Sequence, residues 1–419
     1  MEKSLEAHLY ECLKEGNTKK ALYIVALLGD DVDRLNRGKS PLIWAKEFNN
    51  VDVVKALEEK GAKEVVISKE EAEKLGLKLI DVAEVGDLDK VIELIERGAN
   101  VNAQNDYGWF ALYQAAEKGK LQVVKELVEN GADLDMTDFI GITALKEALI
   151  YEHENVADFL LDKGAKVNIE DQYGGCTLAW AASKSSASLV KKILDKGADV
   201  NEASGEGTAL MNAIFSGNKE VVDLLLERGA DVNKTSRTGR TALMECLCSK
   251  HCRVELMRTL IEKGANVNAK DEEGVSVLMK AAASGVVENI EFLVAHGADV
   301  NALSVSKNSA LIKAVIGQHV ECVGKLIELG ADVNVQNNAG NTALIYASIS
   351  GNAEIIEKLI EAGADVQLKN NDGKNALMVA KEPEIRKAIL DAVKLKKQKD
   401  KENNRSSGFM GRFKSYFGI

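Results

Sequence analysis

Proline and aromatic residues are scarce in this 419-residue chain, which has two prolines, Pro41 and Pro383, and only 5% Phe, Trp and Tyr. Scarce proline leaves helices uninterrupted, and a core poor in aromatics must be built from Leu, Val, Ile and Ala, so many helices are expected. No apolar run approaches the roughly 18 residues of a membrane-spanning helix. The N-terminal MEKSLEAHLYECLKEG lacks the charged, apolar and cleavage regions of a secretion signal, so a cytoplasmic protein is expected. The six cysteines show no framework spacing and are expected to be reduced. With 46% apolar and 28% charged residues, the composition excludes disordered, fibrous and membrane-embedded classes.

Positive charge is also short, since the net charge is −11, and the deficit is uneven. Residues 394–419 hold eight Lys or Arg against two acidic residues, which leaves 46 basic and 63 acidic residues in 1–393. A body this acidic repels phosphate backbones, so nucleic acid is excluded as a partner of that region.

What is present is periodic. Gly-Ala-x-Val-Asn or a near variant starts at Gly98, Gly131, Gly164, Gly197, Gly229, Gly264, Gly297, Gly330 and Gly363, at spacings of 33, 33, 33, 32, 35, 33, 33 and 33. A second anchor, Thr-Ala-Leu or a variant, begins at Phe110, Thr143, Cys176, Thr208, Thr241, Ser276, Ser309, Thr342 and Asn375. It lies twelve residues after the glycine, except at Thr208, where it lies eleven after. Two registers kept over nine copies mark a stacked repeat. In each copy the anchor predicts a helix start, where a hydroxyl caps free amides. A second amphipathic helix stops at the Gly of Gly-Ala, and an Asn, Asp and Gly-rich turn follows.

On these two anchors the chain resembles the ankyrin repeat family, in the bacterial-style Thr-Ala-Leu variant, with copies such as 337–364, NNAGNTALIYASISGNAEIIEKLIEAGA, very close to the family pattern. The resemblance implies an all-α solenoid of helix-turn-helix units with projecting turns, about twelve in all. Ten units fall in 77–393, and two degenerate capping units, carrying Ser40-Pro-Leu and Gly61-Ala62, fall in 1–62. Residues 63–76 read as an irregular insertion or joint, where Ser68-Lys-Glu-Glu71 predicts a short extra helix. Where the family often has His after Thr-Pro-Leu, this chain has Met211, Met244, Met279, Ile312, Ile345 and Met378, which predicts apolar packing in place of a His network.

Chemistry-bearing constellations are few. Cys246, Cys248, His251 and Cys252 crowd into seven residues, but Cys246 shares a packed position with Ala148, Ala181, Ala213, Ala281 and Ala347. That leaves Cys248, His251 and Cys252 as weak metal candidates without a second ligand set, so no metal is expected. The five histidines read as lying at different repeat positions, so no dyad or triad recurs. Ser204-Gly-Glu-Gly has neither the preceding strand nor the following Gly-Lys of a phosphate loop. No catalytic residue and no cofactor is expected, and the protein reads as not an enzyme.

Recognition is expected at variable repeat positions. Three residues before the anchor stand Tyr107, Ile140 and Tyr173, followed in later repeats by small or polar residues. One residue before it stand Trp109 and Ile142; seven after stand Ile150, Phe215 and Ile316. Tyr107, Trp109, Phe139, Ile140, Ile142, Ile150, Tyr151 and Tyr173 are therefore expected to form one apolar patch on a concave edge, where a protein partner is bound through the turn tips and the concave face. The later tips (Arg237, Glu272, Asn338, Asn371) are polar. The basic tail 394–419 places Phe409, Phe413, Tyr416 and Phe417 at helical spacing, suited to a membrane surface or a partner groove. The expectation is a monomeric, non-catalytic scaffold or regulator, and the alternative is a secreted or membrane-tethered effector targeted by that tail.

Overall fold

A computed structural model describes residues 4–29, 32–172, 174–204, 207–249 and 254–398. Helices begin where the sequence offers an acceptor to free amides. The side chains of Thr143, Thr208, Ser276, Ser309, Thr342 and Asn375 each accept a hydrogen bond from the amide three residues on, at 3.1–3.3 Å. Asn17, Asn50, Asp87, Asn218 and Asn352 do the same for second helices. Gly86, Gly217, Gly285 and Gly351 end first helices in left-handed conformation.

These signals delimit two compact halves, 1–205 and 206–419. In the N-terminal half the pairs are α1 (Leu5–Lys14) with α2 (Thr18–Leu27), α3 (Pro41–Glu47) with α4 (Val51–Glu59), α5 (Lys69–Val85) with α6 (Leu88–Glu96), α7 (Ala111–Glu117) with α8 (Leu121–Glu129), α9 (Ala144–Ile150) with α10 (Glu154–Asp162), and α11 (Thr177–Lys184) with α12 (Ala187–Asp195). In the C-terminal half they are α13 (Ala209–Ser216) with α14 (Lys219–Glu227), α15 (Ala242–Cys248) with α16 (Val254–Glu262), α17 (Val277–Ser284) with α18 (Val287–Ala295), α19 (Ala310–Ile316) with α20 (Val320–Glu328), α21 (Ala343–Ser350) with α22 (Ala353–Glu361), and α23 (Ala376–Val379) with α24 (383–398). The all-α reading and the count of twelve helix pairs, taken over the described residues, agree with the sequence expectation. Only Ala203–Ser204 and Gly207–Thr208, at the shortened turn of the 32-residue repeat, form strands among the described residues.

Within each half, first helices pack on first helices, as α5, α7, α9 and α11 do, and second helices on second helices, as α6, α8, α10 and α12 do. The leucine of Thr-Ala-Leu fills the seam between the layers: Leu112, Leu145 and Leu178 in one half, and Leu210, Leu243, Leu278, Leu311 and Leu344 in the other, are all buried. Met211, Met244, Met279, Ile312 and Ile345 are buried too, as apolar packing requires. Met378, on the four-residue α23, is exposed.

The Asn of Gly-Ala-x-Val-Asn proves to be a clamp between repeats. In the C-terminal half Asn233, Asn268, Asn301 and Asn334 donate from Nδ2 to the carbonyls of Gly264, Gly297, Gly330 and Gly363 at 2.8, 2.9, 3.2 and 3.3 Å. Their Oδ1 atoms accept from the amides of Asn266, Asp299, Asp332 and Asp365 at 2.7–2.8 Å. Asn102 makes both bonds in the N-terminal half, to Gly131 and Asp133. Asp135, which replaces Asn in one repeat, keeps only the accepting bond, from the Lys166 amide at 2.8 Å, and adds an ion pair to the Lys166 ammonium.

Two boundaries differ from expectation. Ser68 does cap a helix, accepting from the Glu71 amide, but no separate short helix forms. Its seventeen residues are the first helix of the third pair, because the apolar face of Leu75, Leu79, Ile80 and Ala83 is continuous and buried. The 63–76 segment is thus helical from residue 69. At the other end, the division at 393/394 falls inside α24, which continues through Lys394 to residue 398.

Candidate functional site

Three successive turns of the N-terminal half carry the site. In the first, Asn105 Oδ1 accepts from the amides of Tyr107 and Trp109, and the Asn105 amide donates to the Trp109 carbonyl. In the second, Asp138 does the same with Ile140 and Ile142. These closed Asx-type turns fix which side chains leave the tip. The turns are laced edge to edge, since Gln104 Nε2 donates to the Thr137 carbonyl at 2.8 Å and the Gln172 amide to the Ile140 carbonyl at 2.9 Å.

The expected patch divides. Tyr107 (67% exposed), Trp109 (36%), Phe139 (62%) and Ile140 (39%) crown the first two tips. The Tyr107 and Trp109 rings are 4.9 Å apart between centroids, and Phe139 lies against the backbone of Gly108. Ile142 is a correction: it is 6% exposed, because its side chain is too short to leave the tip, whereas the larger Trp109 at the same repeat position, with the same amide bond to its turn, reaches out. Ile150, half-buried, and Tyr151, exposed, sit at the far end of the seven-residue α9, about 10 Å of helix from the tips. Tyr173 lies outside the described residues.

Beneath the tips is a buried polar cluster that the sequence reading missed. Trp109 stacks over Tyr113 with centroids 6.4 Å apart, and the Tyr113 hydroxyl donates to Glu147 Oε1 at 2.9 Å. Glu147 is 5% exposed and Asp138 also buried, and neither has an ion-pair partner among the described residues. Burial pushes the Glu147 carboxyl up to about 7; the Tyr113 hydrogen bond opposes the shift, while Glu117 and Asp138 add to it. The Tyr113 hydroxyl is itself pushed up, first by burial and then by Glu147. Gln114, one repeat before Glu147 at the same position, is 3% exposed with Oε1 lacking any hydrogen-bond partner.

The signal that finds this cluster is a mismatch between repeats. Lys146 occupies the position of Met211, Met244 and Met279, and it is fully buried against Asp171. Glu245, at the position of Glu147, is gripped by Arg240 at 2.8 Å, and Lys280 by Asp271 at 3.0 Å. The site of Arg240 is held in the Glu147 repeat by apolar Ile142.

The remaining candidates do not converge. Cys246 is buried, as its repeat position requires, and Cys248 is exposed, while His251 and Cys252 lie outside the described residues. Among the described residues no group of three or more His, Cys, Asp or Glu could hold a metal ion. The histidines need a correction, because His153 and His319 share one repeat position, ten residues after the anchor. Each ring reaches back 36 residues to a carbonyl of the preceding first helix, Glu117 at 2.9 Å and Ala283 at 3.0 Å, which is a packing role. Phe409, Phe413, Tyr416 and Phe417 lie outside the described residues. No described helix is long and apolar enough to cross a membrane.

The family model described as ankyrin repeats (3 copies) matches four segments of the chain, residues 79–171, 178–271, 255–337 and 325–401. No curated protein matches the chain.

Proposed function

The chain belongs to the ankyrin repeat family, and on that premise we propose that it is a non-catalytic scaffold or regulator that captures a protein partner on the tips of its fourth and fifth repeats. Ankyrin repeats are generally protein-protein interaction modules, and the observation that carries this reading is the exposure of Tyr107, Trp109, Phe139 and Ile140 on adjoining tips. Later tips expose Arg237, Glu272, Asn338 and Asn371 at the Phe139 position, with Val305 as a lone apolar exception. Aromatic side chains give large contact area at small entropic cost, which suits an anchor. The acidic body then speeds encounter with a basic partner more than it adds affinity. Capped repeats need no partner subunit, so the array acts as a cytoplasmic monomer.

Affinity capture from source-cell lysate tests this with wild type, a Tyr107→Ser, Trp109→Ser, Phe139→Ser variant, and a chain ended after residue 398. A partner lost only on the triple variant supports the tip reading. A partner lost only on truncation moves binding to the tail, the alternative of a tethered or secreted effector.

A further inference from the structure

We propose that the partner segment seated on these tips inserts a lysine or arginine side chain against Glu147, with its charged end at the Trp109 and Tyr113 rings. This rests on the tip-binding reading and names the chemistry recognised there.

Two observations converge. Within this chain a carboxylate at the Glu147 position has a built-in cation elsewhere: Glu245 holds Arg240 through both carboxylate oxygens, at 2.8 and 2.9 Å. The Glu147 repeat substitutes Ile142 for that arginine, so Glu147 and Asp138 remain buried acidic groups with no ion pair among the described residues, the nearby Lys118 being paired with Glu117 and Glu84. A buried carboxylate without a counterion is costly, and an arriving cation recovers much of that cost.

The second observation is the aromatic wall. Tyr107, Trp109 and Tyr113 form a continuous stack, with centroid separations of 4.9 and 6.4 Å, ending in the hydroxyl that touches Glu147. A cation within about 6 Å of a ring centroid is attracted to its face, so wall and carboxylate act on the same group. Nearby lysines are engaged elsewhere: Lys146 with Asp171 and the Gly175 carbonyl, Lys118 with Glu117, and Lys184 with Glu152. The occupant is therefore a cationic side chain supplied from outside the array, which agrees with the surplus of 63 acidic over 46 basic residues in 1–393.

The test is selection of random dodecamer peptides displayed on phage against the immobilised full chain. The best peptide is then titrated against wild type and Glu147→Gln, alongside the same peptide carrying norleucine at its basic position. The expected pool holds Lys or Arg at one fixed place. Norleucine there weakens binding to wild type at least tenfold but changes binding to Glu147→Gln less than threefold. The norleucine arm uses unaltered protein, so misfolding of the variant does not obscure the result. Enriched peptides without a fixed basic residue overturn the cation reading, as does an equal norleucine loss on both proteins. If such peptides are nonetheless lost on the Tyr107→Ser, Phe139→Ser double variant, the tip reading survives alone. Enrichment of nothing, or of peptides indifferent to all these changes, overturns both.

Discussion

The Lys146 ammonium lies 3.2 Å from the Asp171 carboxylate with the two side chains 0% and 3% exposed, so the fifth and sixth repeats are joined by an ion pair sealed from water. The ring is closed by Lys146 donating to the Gly175 carbonyl at 2.7 Å and the Gly175 amide donating to Asp171 at 2.8 Å. Asp171→Ala strands the ammonium, and a cost of about 3–5 kcal/mol is expected at this interface. Lys146→Met with Asp171→Ser copies the Met211 and Ser236 pairing of a later repeat, and a loss under about 1.5 kcal/mol is expected. Hydrogen exchange of α9 and α11 amides measures both, because repeat arrays open locally.

Glu147 makes the fourth and fifth repeats pH-sensitive. Its folded carboxyl titrates at about 7, above the ordinary 4.5, so the folded state holds a proton that the unfolded chain has released. Stability is therefore greatest near and below pH 4.5 as far as this group is concerned, falls as pH rises, and has lost about 3 kcal/mol once pH passes 7. The groups facing it are Tyr113, Glu117 and Lys118 from the α7 side and Asp138 from the turn. Glu147→Gln should remove the slope. Tyr113→Phe, which deletes the hydrogen bond holding the value down, should move the titration higher. Side-chain carboxyl carbon NMR reads both directly.

Gly98 and Gly131 occupy the same repeat position with φ of +93° and +88°, yet only Gly98 meets another backbone. A Cβ on Gly98 would lie 2.7 Å from the Gly38 amide nitrogen, while one on Gly131 would have nothing within 4 Å. Gly131→Ala should cost about 1–2 kcal/mol for the left-handed backbone alone. Gly98→Ala should cost about 1–3 kcal/mol more, because Gly38 must move. Thermal melts of the two variants compare them.

Asn268→Asp tests the clamp. The aspartate still accepts from the Asp299 amide but cannot donate to the Gly297 carbonyl, leaving the one-sided arrangement of Asp135. The carbonyl is solvent-accessible in part, so a loss of about 1 kcal/mol is expected, seen as faster exchange at the ends of α16 and α18. Asn268→Ala should cost more than Asn268→Asp, since both bonds go.

Periodicity and capping are local, so the helix starts at Thr143 or Ser309 and the stop at Gly285 were legible from neighbouring residues. The polar cluster was not, because its bonds join residues far apart: Tyr113 to Glu147 spans 34 positions and Lys146 to Asp171 spans 25. Alignment of the repeats on one another does expose Lys146 among methionines and isoleucines. Ile142 illustrates the converse, since it shares a repeat position with Trp109 and differs in exposure only through side-chain size. The continuity of α5 across residues 69–76 was hidden by reading the Ser68 cap as the start of something separate.

The clamp also shows where this chain tolerates growth. Asn268, Asn301 and Asn334 each reach a glycine carbonyl 29 residues on, but Asn233 reaches Gly264 across 31, through the 35-residue repeat, with a bond of 2.8 Å that is no longer than the others. The two extra residues leave the contact unaltered, so the interval between first and second helix is a natural graft point. A loop of foreign sequence inserted there, between Ser249 and Val254, would enlarge one repeat while its neighbours kept their register, giving an engineered display site on an otherwise unchanged scaffold.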